Sequence, residues 1–153
     1  MGTVGKFSNK VLLLNRRFAA PVAEVYRLWT DPALVVQWWG PKGRRLSFCE
    51  MDFAIGGAWR FCLRRVADGH EHWVHGKYHD IRENALLVFS YVNESDDRFT
   101  LVTVTFAQEG DATQLQLRQE EFASVDQRDE HGLGWSSTLD LLGEHLQGIE
   151  RVD

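Results

Sequence analysis

The chain has 153 residues, with 17 Lys+Arg against 22 Asp+Glu and a formal charge of −5. The acidic balance argues against a nucleic-acid binder, because basic runs such as 42–45 and Arg64-Arg65 are short. The absence of any 18-residue apolar run argues against a membrane-spanning helix. A chain of this length suits one domain, burying about 70% of its unfolded surface. Aromatics reach 12%, with 6 Trp and 9 Phe, more than a core of this size needs. That surplus points to a lined pocket or an interface.

Residues 1–9 read as a flexible tail and 10–150 as one domain. The tail has no apolar core of an export signal. Cys49 and Cys62, with twelve residues between them, fit no metal or redox spacing. Reduced, buried thiols in a cytoplasmic protein are the expectation.

The run at 10–18 reads as a first strand. Pro21 opens PVAEVYRLW at a first helical position, with Val22, Val25, Tyr26 and Trp29 at helical spacing. Asp31 can cap a second short helix with Pro32 at its first turn. That helix ends near Trp38, and Gly40-Pro41 stops it. The period then changes to two. Strands are expected at 45–53, 58–66, 71–81, 85–92, 98–106 and 113–122. Trp59, Phe61 and Leu63 share one face of their strand; Arg60, Cys62 and Arg64 share the other. Asp68-Gly69 marks a hairpin, and the remaining connections are short and polar, as in an antiparallel meander. Trp135, Leu139, Leu142, Leu146 and Ile149 make one stripe on a long final helix, preceded by the polar run DQRDEHG.

The segments at 18–43 (FAAPVAEVYRLWTDPALVVQWWGPKG), 50–63 (EMDFAIGGAWRFCL), 75–81 (HGKYHDI) and 134–146 (GWSSTLDLLGEHL) resemble single-domain proteins similar to the activator of the heat-shock-protein-90 ATPase. These belong to the START-like, or SRPBCC, superfamily. The resemblance covers roughly residues 11 to 149. It implies an α+β helix-grip fold: a curved antiparallel sheet of six to seven strands around the C-terminal helix, with a deep apolar cavity between them. Superfamily members use that cavity for lipids, plant hormones, polyketide intermediates and other hydrophobic molecules; a few are cyclases or aromatases. The eukaryotic co-chaperones resemble this chain only in their second domain. Their separate chaperone-contacting domain has no counterpart before residue 11.

The expected ligand-binding residues are Trp38, Trp39, Trp59, Phe61, His72, Phe89, Tyr91, Trp135 and Leu139. Two readings stand for the tryptophan pair: one ring at the cavity mouth and the other plugging the sheet edge, or both in the core. His70, His72, His75 and His79 fall on opposite strand faces without companion ligands, so neither a metal nor another cofactor is expected. His72 can instead face the cavity as a polar anchor or base. Glu50, Asp52, His72, Tyr78 and Tyr91 are the acid–base candidates, but they form no dyad or triad, and no residue is assigned as catalytic. Asp52 is expected to accept backbone N–H bonds in the turn before Gly56-Gly57. Ser136 and Ser137 lack the tight turn of a hydrolase nucleophile. The leading expectation is binding of a small hydrophobic molecule. An enzyme of cyclase or hydrolase type acting on such a molecule is the first alternative. A regulator of a chaperone ATPase is the second, and a homodimer is compatible with each.

Overall fold

The computed structural model describes residues 10–153. The tail expected at 1–9 lies outside the described residues. Seven strands run in the order β1-β7-β6-β5-β4-β3-β2, and every neighbouring pair is antiparallel. They are β1 (Leu12–Phe18), β2 (Arg44–Met51), β3 (Ala58–Arg65), β4 (Glu71–Arg82), β5 (Leu86–Asn93), β6 (Arg98–Glu109) and β7 (Ala112–Glu120). Among the described residues three helices complete the fold: α1 (Val22–Thr30), α2 (Pro32–Trp38) and α3 (Val125–Leu146). This is the α+β helix grip that the resemblance implied. Two register shifts, at Leu46/Phe48 in β2 and Tyr78/Asp80 in β4, add bend to a sheet that already twists.

The strands alternate as a one-sided sheet requires. In β3, Trp59, Phe61 and Leu63 are buried while Arg60 and Arg64 are exposed. Cys62 breaks the pattern, being fully buried although it lies on the outer face. Its register partners there are Phe48 and Trp73, whose rings stand 5.5 Å apart. The Arg60 guanidinium stacks 4.1 Å over Trp73 and forks onto Glu94 at 2.9 Å on both arms. Bonded by Arg60, and by His75 at 3.0 Å, the Glu94 carboxyl is held down at about 2. His75 is therefore part of an outer-face cluster.

The helices begin where local chemistry allows. Asp31 caps α2 by accepting from the Ala33 N–H at 3.0 Å, with Pro32 at the first position. Pro21 stands one residue earlier than expected, as the cap of α1, and the Val22 N–H is satisfied by the Gln108 side chain at 2.8 Å. The largest departure is α3. It starts at Val125, so the polar run DQRDEHG lies inside the helix. Ser124 accepts from the Gln127 N–H at 3.1 Å, and Gln127 reaches back to the Ala123 N–H at 2.9 Å. This is close to a capping box, and it outweighs the polarity of the first two turns. At the other end, Gly148 N–H to His145 and Ile149 N–H to Glu144 close a Schellman turn, which leaves Ile149 outside the helix and exposed.

That turn sends the chain back across the α2–β2 junction. The Arg151 guanidinium donates to the carbonyls of Trp38 (3.1 Å), Trp39 (3.2 Å), Gly40 (3.1 Å), Pro41 (3.0 Å) and Arg44. Its Nε pairs with Asp153 at 2.7 Å, and Asp153 also accepts from the Gly43 N–H. Burial pushes the Asp153 carboxyl up, but these two bonds outweigh it and hold the group at about 2. One side chain thus bonds the last carbonyl of α2 and those of the loop that leads into β2.

Candidate functional site

The core is an aromatic array built from all the layers. Trp29 of α1 meets Trp38 at 4.9 Å, Trp39 at 5.7 Å and Trp135 of α3 at 6.1 Å, centroid to centroid. Trp39 meets Phe61 at 5.2 Å and Trp135 at 5.1 Å. Trp59 continues the chain of rings to Phe61 at 4.8 Å, Tyr91 at 5.6 Å and Phe89 at 5.8 Å.

Neighbouring tryptophans divide their roles because α2 ends between them. Trp38 is the last helical residue, fully buried, and its Nε1 donates to the Leu28 carbonyl at 2.8 Å. It pins α2 to α1. Trp39 has left the helix with extended backbone (φ −66°, ψ 141°), so its ring swings toward the sheet. Gly40 then takes φ +104°, where a Cβ would also press on Leu63 and the Arg44 carbonyl at 3.0 and 3.1 Å. The break is what aims Trp39.

Two spaces adjoin this array, one between α3 and the sheet and one between Trp29, Trp39 and the sheet. The first is an open crevice of about 170 Å³, walled by Trp39, Leu63, Tyr91 and Trp135, with Arg44, His72, Glu130 and His131 supplying polar groups. The second is a slot of about 10 Å³ among Trp29, Trp39, Trp59, Phe61, Tyr78, Leu87 and Phe89. The deep continuous cavity that the resemblance implied is therefore corrected: the rings fill most of the grip and leave a small mouth and a narrow remnant. A larger groove of about 520 Å³ runs beside α1, away from α3, where Tyr26, Phe53 and Ile81 line it together with Arg27, Thr30, Glu83 and Asn84.

The crevice carries groups held in defined protonation states. Burial lowers the pKa of His72, and the nearby Arg44 charge lowers it further. Burial likewise lowers His131, assisted by His72. Both imidazoles are thus neutral at pH 7, each with one donor and one acceptor nitrogen. Burial raises Tyr91 and Tyr78 well above the usual phenol range, so both hydroxyls stay protonated. The His131 ring packs edge-on against Tyr91 (5.7 Å) and Phe122 (5.0 Å). Trp135 is fixed by a buried relay: its Nε1 donates to Gln119 (2.9 Å), Gln119 to the Thr100 hydroxyl (2.8 Å), and Thr100 to the Tyr91 carbonyl (2.9 Å).

Two slot residues contrast with that satisfaction. The indole N–H groups of Trp29 and Trp59 are buried without an acceptor in the protein. Each such donor costs about 1–3 kcal/mol. The Tyr26 hydroxyl, beside the α1 groove, is the other buried polar atom in this state among the described residues.

The sequence candidates distribute unevenly. Trp39, His72, Tyr91 and Trp135 line the crevice; Trp39, Trp59, Phe61 and Phe89 line the slot. Trp38 and Leu139 are fully buried core and line neither. Glu50 and Asp52 are exposed and lie away from both spaces. Asp52 does not accept turn bonds through its carboxylate; its main-chain oxygen accepts from the Ala54 N–H at 2.8 Å, closing the turn without the side chain. Ser136 accepts from Arg16 at 2.9 Å and Ser137 from the Lys42 N–H at 2.9 Å, so both are structural. Among the described residues no cluster of three metal-ligating side chains occurs. Sequence reasoning missed His131, Glu130 and Arg44. His131 lies four residues before Trp135, on the same helical stripe, and extending the helix back to its capping residue would have found it.

Residues 19–147 match the family described as Activator of Hsp90 ATPase homolog 1-like protein. No functionally curated protein matches the chain. Among solved structures, protein CV1439 from Chromobacterium violaceum is 25% identical with a TM-score of 0.78, covering 88% of this chain and 96% of its own. CalU16 from Micromonospora echinospora is 27% identical with a TM-score of 0.70, covering 89% and 75%. The AHSA1 protein SPO3351 from Silicibacter pomeroyi is 24% identical with a TM-score of 0.79, covering 90% and 97%, a likeness of fold.

Proposed function

The chain belongs to the Activator of Hsp90 ATPase homolog 1-like family, and from that footing we propose that it binds a small hydrophobic molecule in the crevice between α3 and the sheet. The observation that carries this reading is the pairing of aromatic walls, Trp39, Tyr91 and Trp135, with a few polar groups in the same crevice. Apolar surface supplies the affinity, and His72, His131 and Arg44 supply orientation. The size of the space limits the ligand. Pockets for drug-sized molecules run from about 300 Å³ upward, so a crevice of about 170 Å³ suits a one- or two-ring compound.

The test is thermal unfolding with bicyclic hydrocarbons and ketones. A specific ligand at a hundred times its Kd adds about 2.7 kcal/mol, a rise of several degrees in Tm. A flat Tm across such a series removes the reading.

A second reading is favoured by the neutral imidazoles of His72 and His131 beside the protonated Tyr91 hydroxyl. Such a set can pass a proton to or from a bound ligand, as a cyclase-type enzyme requires. Regulation of a chaperone ATPase is carried by the family's description alone. Among the described residues no helix is long and apolar enough to cross a membrane. Cytoplasmic location belongs to the same proposal and rests on the free thiols of Cys49 and Cys62.

A further inference from the structure

The groove beside α1 shares no lining residue with the crevice, and α3 contributes nothing to its walls. Ala23, Tyr26 and Arg27 stand at i, i+3 and i+4 on α1, so they share one face of that helix. Across from them lie Phe53 beyond β2, Ile81 near the end of β4 and Glu83 in the turn that follows. A volume of about 520 Å³ falls within the range of small-molecule sites.

The polar groups of this groove are unanswered within the protein. Tyr26 is 6% exposed, its ring stands edge-on to Phe106 at 5.2 Å, and its hydroxyl is buried without a partner. Burial raises the pKa of this phenol, and the Glu83 charge raises it further, so the oxygen keeps its proton and offers a donor. A buried donor without an acceptor costs stability, and a bound acceptor restores it. Arg27 and Glu83 are exposed on the same groove, and among the described residues neither side chain has an ion pair or a hydrogen bond. Their side chains are free to turn toward a ligand, as exposed rotamers do. Phe53 and Ile81, both half-buried, supply apolar surface between the two charges and the sheet.

We propose that this groove is a ligand site in its own right, for a zwitterion with an apolar side chain, of the kind a free aromatic amino acid presents. The carboxylate accepts from the Tyr26 hydroxyl and the Arg27 guanidinium, the ammonium meets Glu83, and the side chain lies on Phe53 and Ile81. A simple anion would face Glu83 uncompensated, and a simple amine would leave the Tyr26 donor as it was. The zwitterion answers all three groups at once.

The experiment titrates ¹⁵N-labelled protein with L-phenylalanine, 3-phenylpropionate and phenethylamine. The second lacks the ammonium and the third lacks the carboxylate. We expect L-phenylalanine to bind most tightly and to move the amide signals of Ala23 and Ile81. Tyr26→Phe should weaken L-phenylalanine and 3-phenylpropionate roughly tenfold and leave phenethylamine unchanged. Glu83→Gln should weaken L-phenylalanine and phenethylamine but not 3-phenylpropionate. Without ligand, Tyr26→Phe should keep or raise Tm, because the hydroxyl it removes has no partner. A lowered Tm would reveal an internal partner and overturn the inference. So would L-phenylalanine that binds no more tightly than its two analogues, that fails to bind up to its solubility limit, or that moves His131 and Trp135 in place of Ala23 and Ile81. The crevice reading survives each of these results, since its own probes are uncharged.

Discussion

Arg151 shows how far one side chain can reach. It is 6% exposed and holds five carbonyls across the end of α2 and the start of β2, with Asp153 as its counter-charge. The planar guanidinium fits this task because its donors spread in a fixed fork. Removing it takes a shared donor from these part-buried carbonyls and leaves Asp153 without its cation, a loss of about 3–5 kcal/mol by analogy with broken buried pairs. We expect Arg151→Ala to lower the midpoint of urea unfolding accordingly. Arg151→Lys should recover less than half, since an ammonium cannot reach all five oxygens. Full rescue by lysine would show that charge alone matters there. Nothing in local composition marks Arg151, because its partners lie more than a hundred residues away in sequence. Trp38 and Trp39 were legible as large buried rings, but their division of labour depends on where α2 ends. That end is a matter of one residue, finer than hydrophobic spacing resolves.

At the scale of elements, the inner strands were readable because they have one face in water and one in the core. The period-two pattern in β3 and the short polar turns leave few alternatives. The final helix was only half readable. Its apolar stripe marks the part that packs, whereas the first turns lie at the polar mouth, and the Ser124/Gln127 cap was the signal there. The docking of α3 is specified by polar contact as well as by burial. Gln119, fully buried in β7, takes the Trp135 N–H and passes a bond on to Thr100. Gln119→Leu keeps the volume but strands the indole N–H, which costs about 1–3 kcal/mol. Thermal melts of Gln119→Leu should show that loss. They should also show greater solvent quenching of tryptophan fluorescence as Trp135 loosens. An unchanged or raised Tm would mean that the relay is not what seats the helix.

Over the whole molecule, a sheet curled round one helix creates a space whose filling is decided by side-chain size. Backbone pattern cannot report that filling. The aromatic surplus was visible in the composition, and it was compatible with a hollow or with its occlusion. The structure holds both: rings occupy the centre, and a mouth remains where α3, the α2–β2 break and β4 converge. The central claim, that this mouth is the ligand site, can be read through six reporters, one indole N–H for each tryptophan. Trp39 and Trp135 line the mouth, while Trp73 sits on the outer face under Arg60. Titrating ¹⁵N-labelled protein with tetralin and following the six indole N–H signals is the most direct test. The signals of Trp39 and Trp135 should move together and saturate while that of Trp73 stays in place. Signals that do not move up to the solubility limit of the probe, or movement of Trp73 alone, would contradict the account.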